Sequence, residues 1–301
     1  MANFHQTLAV LLFAVIRLAR SDHYLVVFAN VPGSHMMILA AAAEAMLERN
    51  HSVTILTPAT KVADDIKGQL SRRGNHGNNY IMETHNISWP DNPDDHKKYM
   101  QLVLYGSKYE IFKFVSTTFP PMLKSNCEVV LQDTVLLSRL QAQYYDMVLV
   151  HGAFACSVLI AQQLDVKYAT IFSTILPSSF NRLLGNSVNP AYNPELFTGY
   201  SDRMTFPERV TNTLISGVFW MLSDLTMRNL DEIKVAYRIK PDISTFRSLG
   251  DAEVFFVNSD FVLDFARPYQ PNVVSVGGLT ANPPSRLPQV GKYQGRLVLF
   301  M

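Results

Sequence analysis

The sequence predicts an α/β domain built on a Rossmann-like, doubly wound parallel sheet, and three observations carry that prediction. Tyr24–Ala29 (YLVVFA) and Val53–Thr57 are short, continuous apolar runs rich in β-branched residues. Such runs are the pattern of strands covered on both faces, not of strands with one wet face. A segment of helical length separates them, and the strand–helix–strand alternation returns further along the chain.

Between the first two strands, Pro32-Gly33-Ser34 forms a turn, and Ser34 is placed to cap the helix that follows. That helix runs over Met36–Arg49. Leu39, Ala43, Met46 and Leu47 share one face, and Glu44, Glu48 and Arg49 face solvent. Ser71–Asn79 is polar and reads as a loop. Asp146–Val150, Phe154–Gln163 and Tyr168–Phe172 repeat the unit as strand, helix and strand. Asn186–Tyr200 holds Pro190 and Pro194 and reads as another loop. A long helix is then expected from Pro207 to about Tyr237, where Val210, Leu214, Val218, Met221, Leu222 and Leu225 recur at helical spacing and Phe219 and Trp220 widen the apolar face. Core packing is the plain reading of that face. A lid over an apolar pocket, or contact with a membrane surface, is the alternative. Glu253–Val257 and Val273–Val276 are the last strands, and Pro283, Pro284 and Pro288 mark a linker. Residues 296–301 then begin like one more buried strand.

Composition sets the outer limits. Of 301 residues 48% are hydrophobic and 17% charged, which suits a globular body and excludes a disordered one. The formal net charge of +1 demands no basic face, so nucleic acid is not an expected partner. Two cysteines, Cys127 and Cys156, leave open one bridge or two buried thiols. The apolar run Leu8–Ile16 has the length of a signal h-region rather than of a membrane span. Asn86-Ile87-Ser88 is an N-glycosylation sequon in a polar segment, in keeping with a lumenal glycoprotein. The expected division is a signal peptide over 1–21, one domain over 22–282, and over 283–301 a linker with the first strand of a further domain.

In an open α/β sheet, ligands bind beyond the C-terminal ends of the strands. The first such end, Val31-Pro32-Gly33-Ser34-His35, places His35 in the first turn of the helix. Backbone N–H groups there carry partial positive charge and keep the imidazole neutral, the state a general base needs. A second strand end, Val150-His151-Gly152, allows His151 to face His35 across the crevice. Two imidazoles without a third ligand do not make a metal site. No GxGxxG, P-loop or Gly-x-Ser-x-Gly elbow is present, so the chain shows no nucleotide cradle of its own and no hydrolase nucleophile.

Several segments, in order, resemble the UDP-glycosyltransferases, and the animal UDP-glucuronosyltransferases in particular. Ser34-His35, the helix after it, and Arg49-Asn50-His51-Ser52-Val53-Thr54-Ile55-Leu56-Thr57 are similar to that family's Ser-His, helix, R-G-H-x-V-T-x-L-T. Tyr145 to Cys156 resembles F-D-x-x-x-x-D-x-x-x-P-C, and Met204 to Val210 resembles M-T-F-x-E-R-V. Asn258 to Gly278 is similar to N-x-x-x-x-x-x-F-x-R-P-x-x-P-N-V-x-x-V-G-G. The resemblance implies the N-terminal domain of a GT-B glycosyltransferase, which binds a small apolar acceptor. A C-terminal domain would bind the UDP-sugar, UDP-glucuronate or UDP-glucose, as co-substrate. No resident cofactor and no metal are implied. His35 matches the histidine that deprotonates the acceptor for inverting transfer. The endoplasmic reticulum lumen, association with its membrane and oligomers with full-length transferases are implied in the same way.

Two departures from the pattern matter. His151 occupies the position of the aspartate that orients the base and stabilises its imidazolium, a charge an imidazole does not supply. The donor-domain signature and the membrane anchor are not among these residues. The expectation is an acceptor domain inactive on its own. The alternative is a non-catalytic binder of apolar ligands, or a regulatory partner of full-length transferases.

Overall fold

In the computed structural model, seven strands form one parallel sheet, β1 His23–Val27, β2 Ser52–Pro58, β3 Tyr80–His85, β4 Met147–His151, β5 Tyr168–Phe172, β6 Val254–Val257 and β7 Val273–Ser275. The structure describes residues 21–28, 34–73, 80–87, 97–98, 101–102, 105–173, 176–196, 198–262 and 264–281. The strand order is β3-β2-β1-β4-β5-β6-β7. It runs outward in both directions from the β1–β4 neighbours, which makes the sheet doubly wound with a switch point between those two strands. Every adjacent pair is parallel, and Val27 lies beside Val150 at the C-terminal end of the central pair.

The strands foreseen from apolar runs form within a residue or two of their expected limits. Leu25, Val26 and Val27 are buried, as are Val148, Leu149 and Val150, so both faces of the centre are covered, as the continuous runs require. β3 was not foreseen. It is an edge strand, and Tyr80, Met82, Glu83 and Thr84 mix polar with apolar residues instead of forming a run. Glu83 on that edge accepts two hydrogen bonds from Arg139, at 3.1 and 3.2 Å.

Helices cover both faces. After β1 comes α1 (Ser34–Leu47), and after β2 comes α2 (Lys61–Arg73). Helix α2 extends into the stretch read as a loop from Ser71. Glu44 of α1, expected to face solvent, is 1% exposed, because α1 packs against β2, α2, β4 and β5 and is covered nearly all round. Helix α3 (Lys108–Lys113), a π-helical turn (Phe114–Thr118), α4 (Phe119–Gln132) and α5 (Thr134–Gln141) precede β4. Helices α6 (Cys156–Gln163), α7 (Ser178–Leu183), α8 (Phe206–Ala236) and α9 (Thr245–Leu249) complete the set. Of the two states left open for the cysteines, the bridge forms: Cys127 of α4 is joined to Cys156 of α6.

The 31-residue α8 starts where expected. Glu208 accepts a hydrogen bond from the Thr205 backbone N–H at 2.7 Å, which occupies a donor that the helix start leaves open. The expectation of core packing along its N-terminal half is corrected, since Val210, Leu214, Val218, Met221 and Leu225 are exposed. The side of that half turned to the protein is polar instead. Asn212 donates from Nδ2 to the Pro190 and Asn193 carbonyls at 2.8 and 2.9 Å and accepts from the Glu195 N–H at 2.7 Å. The C-terminal half is held by buried apolar residues, Met227, Leu230 and Ile233, and near the middle of the helix Trp220 packs edge-on against Phe246.

The segment Asn186–Tyr200 carries no helix or strand among its described residues. Asn86 of the sequon is exposed just after β3. The run Leu8–Ile16, the Pro32-Gly33 turn and the segment 283–301 lie outside the described residues.

Candidate active site at the switch point of the sheet

Three strand ends meet beyond β1, β4 and β5. His35, the second residue of α1, is half-buried there. His151 is the last residue of β4 and is 1% exposed. Ser173 follows β5 directly. Nδ1 of His35 lies 3.1 Å from Nε2 of His151 and 2.6 Å from Oγ of Ser173. The two imidazoles meet edge to face, with ring centroids 4.7 Å apart and planes at 87°.

The strand-end position brings His35 and His151 together because α1 begins the crossover above β1, and β4 is the strand beside β1. Phe154 stands against both rings, 5.5 Å from His35 and 5.4 Å from His151 between centroids. Phe172 closes the far side of His151. Gly152 is required for that closure: a Cβ there would lie 2.1 Å from the Phe172 ring. The His151 ring is anchored from behind, where the Ala153 backbone N–H donates to its Nδ1 at 3.2 Å. Nε2 of His35 has no hydrogen-bond partner among the described residues.

Both imidazoles are held below the ordinary histidine range. Burial does this for His35. Burial does it more strongly for His151, helped by the neighbouring His35. Loss of hydration penalises the charged form, so both rings are neutral near pH 7. The neutrality expected of His35 therefore has burial as its main cause, not the helix N-terminus alone.

Ser173 was missed from the sequence, although the strand-end rule applied to β5 points at it. Asp146 is at the opposite end of β4, where its Oδ2 accepts from the His23 N–H at 2.8 Å, so it does not serve the histidine pair. Among the described residues no group of three or more His, Cys, Asp or Glu side chains is arranged to hold a metal. None of the described helices is long and apolar enough to cross a membrane.

Comparison with known proteins gives a family match over most of the chain. The model of the UDP-glucoronosyl and UDP-glucosyl transferase family matches residues 24–293. The human UDP-glucuronosyltransferase 3A1 is 30% identical over 273 residues, which cover 85% of this chain and 48% of the relative. The mouse 2-hydroxyacylsphingosine 1-beta-galactosyltransferase is 28% identical over 284 residues, 93% of this chain and 49% of the relative. The mouse UDP-glucuronosyltransferase 1A6 is 25% identical over 273 residues, 85% and 47% respectively. This chain thus spans about half the length of the curated relatives it matches. Among solved structures, the glycotransferase of kitacinnamycin aligns with a TM-score of 0.47 at 10% identity, over 92% of this chain and 56% of that one.

Proposed function

The chain belongs to the UDP-glucoronosyl and UDP-glucosyl transferase family, and from that premise we propose that residues 22–282 are the acceptor-binding half of a UDP-sugar-dependent glycosyltransferase. The observation that carries the reading is His35 at the switch point of the sheet, half-buried and neutral, with no hydrogen-bond partner on Nε2 among the described residues. An apolar acceptor lies beyond the ends of β1, β4 and β5, with its polar group against that nitrogen. The UDP-sugar binds to a second half and not to these residues, which lack a glycine-rich phosphate cradle. UDP-glucuronate and UDP-glucose are the donors the family's description suggests. GT-B architecture, with two Rossmann-like halves across a cleft, follows from the same premise.

His35 holds the place of the general base and His151 the place of its carboxylate partner. Transfer would move the acceptor's proton to His35 while the acceptor oxygen displaces UDP at the anomeric carbon, with inversion. A neutral His151 offers no negative charge to the imidazolium that forms, so turnover should be slow even with a donor half present. This same observation favours a second reading, a non-catalytic binder or a regulatory partner of full-length transferases.

The proposed location is the lumen of the endoplasmic reticulum, at its membrane, behind a signal peptide over 1–21. The Cys127–Cys156 bridge and the exposed Asn86 of a glycosylation sequon support an oxidising, glycosylating compartment. The outer face of α8, with Leu214 66% and Met221 59% exposed, supports contact with the membrane surface.

Titration of the 301-residue chain with 2-naphthol and, separately, with UDP tests the split of the two sites. Saturable naphthol binding that His35→Trp abolishes, with no UDP binding, is the expected result. Equilibrium binding of UDP to this chain would contradict it.

A further inference from the structure

The hydrogen bonds behind His35 fix which of its nitrogens carries the proton. The Ala153 backbone N–H is always a donor, and it points at Nδ1 of His151 from 3.2 Å. Nδ1 of His151 is therefore the acceptor nitrogen of that ring. A neutral imidazole has one N–H, so the proton of His151 sits on Nε2. That N–H is 3.1 Å from Nδ1 of His35 and must donate to it. Nδ1 of His35 is then an acceptor, and the neutral His35 carries its own proton on Nε2.

The second contact agrees. Oγ of Ser173, 2.6 Å from Nδ1 of His35, can donate its hydroxyl proton to the same lone pair as the other branch of a three-centre bond. The opposite assignment fails at one point whichever way it is drawn. A proton on Nδ1 of His35 would face the N–H of His151. Moving the His151 proton to Nδ1 would set it against the Ala153 N–H. Each arrangement buries two donors against each other, at a cost comparable with a lost hydrogen bond or more.

We propose that this relay, from Ala153 N–H through His151 to His35, makes His35 a hydrogen-bond donor at Nε2, and that the site binds apolar ligands presenting a carbonyl or carboxylate oxygen rather than a hydroxyl to be deprotonated. The ligand class rests on the acceptor-site reading above, and the ring state does not. An aspartate at position 151 would have the opposite effect. It accepts from Nδ1 of His35 and leaves a lone pair on Nε2. The exchange of a carboxylate for an imidazole thus does more than remove a charge. It reverses the polarity of the one ring nitrogen turned to the ligand.

Two measurements on the 301-residue chain test this. Long-range 1H–15N correlation of the histidine rings reads the tautomer directly, with His35→Gln used to assign the signals. The expected result is the Nε2–H form for both His35 and His151 in the wild type. An Nδ1–H form at His35 would overturn the relay. In parallel, 2-acetylnaphthalene and 2-naphthol differ in the group offered to the site, a carbonyl against a hydroxyl. The carbonyl is the stronger acceptor toward an N–H, so the ketone should bind up to about fivefold more tightly to the wild type, and the order should reverse in His151→Asp. Equal or weaker ketone binding to the wild type would overturn the ligand class. Failure of both probes to bind would overturn the ligand class and the acceptor-site reading together, while the tautomer is still read from the spectrum.

Discussion

His151 has the most perturbed setting of the site residues, and its effect on stability has a definite sign. Its folded-state pKa lies well below the ordinary 6.5, so between the two values the unfolded chain binds the proton and the folded chain does not. Stability is complete above about pH 6.5 and falls as the pH drops from there toward the folded-state value. His151→Gln removes one such group. The pH dependence of unfolding between pH 6.5 and 5 should become shallower, by up to about 1.4 kcal/mol per pH unit. Urea melts across that range check it, and an unchanged slope would mean that His151 is not buried in the neutral form. At this scale the sequence reveals the two histidines, because both stand at the ends of apolar runs. It does not reveal Ser173 or the direction of the proton relay. That direction depends on a backbone turn that brings the Ala153 N–H onto the ring two residues before it, and side-chain identity carries no trace of it. Asn50 is a smaller instance. It departs from the glycine of the family pattern, yet its φ of 63° is in the left-handed region that asparagine tolerates better than other non-glycine residues.

Elements were legible where one kind of surface covered them and illegible where two kinds met. Central strands buried on both faces gave continuous apolar runs, whereas the edge strand β3 did not. Helix α8 shows the opposite failure, an apolar periodicity that does not mark the core. Its N-terminal half is fastened by Asn212 to the Asn186–Tyr200 segment, so hydrogen bonds stand where burial was expected and the apolar side is left outside. Substitutions should separate the two halves. Leu214→Ser with Met221→Ser should change stability by no more than about 0.5 kcal/mol, since both side chains are exposed. Leu230→Ala, at 0% exposure, should cost about 2–5 kcal/mol. Thermal melts of the two variants measure this. If the serine pair proves as destabilising as the alanine, the outer face of α8 is packed against protein after all. Flotation with phospholipid vesicles, weakened by the serine pair alone, would tie that face to a membrane surface.

For the whole molecule, the sheet order explains why the proposed ligand site lies within this one domain. The switch point between β1 and β4 is internal to this domain, and the residues gathered there come from β1, β4 and β5 crossings alone. The sequence made the family and the doubly wound sheet legible over nearly the full chain, because collinear motifs fall on strand ends and helix starts that the fold requires. The identity of the proposed acceptor was not legible, since selectivity arises from side chains brought together by tertiary packing and from segments without a periodic pattern.

The most direct test of the central claim, that His35 is a transferase base disabled by its neighbour, is sugar transfer by this chain joined to the donor half of a curated relative. Radiolabelled transfer from UDP-glucuronate or UDP-glucose to 2-naphthol would be followed for the wild type, His151→Asp, and His151→Asp with His35→Ala. The account predicts a slow wild type, a gain of about 100-fold or more with the aspartate, in line with the losses seen when such a partner is removed, and a return to the wild-type level or below when His35 is also removed. No gain from His151→Asp, or a gain that survives the loss of His35, would contradict it.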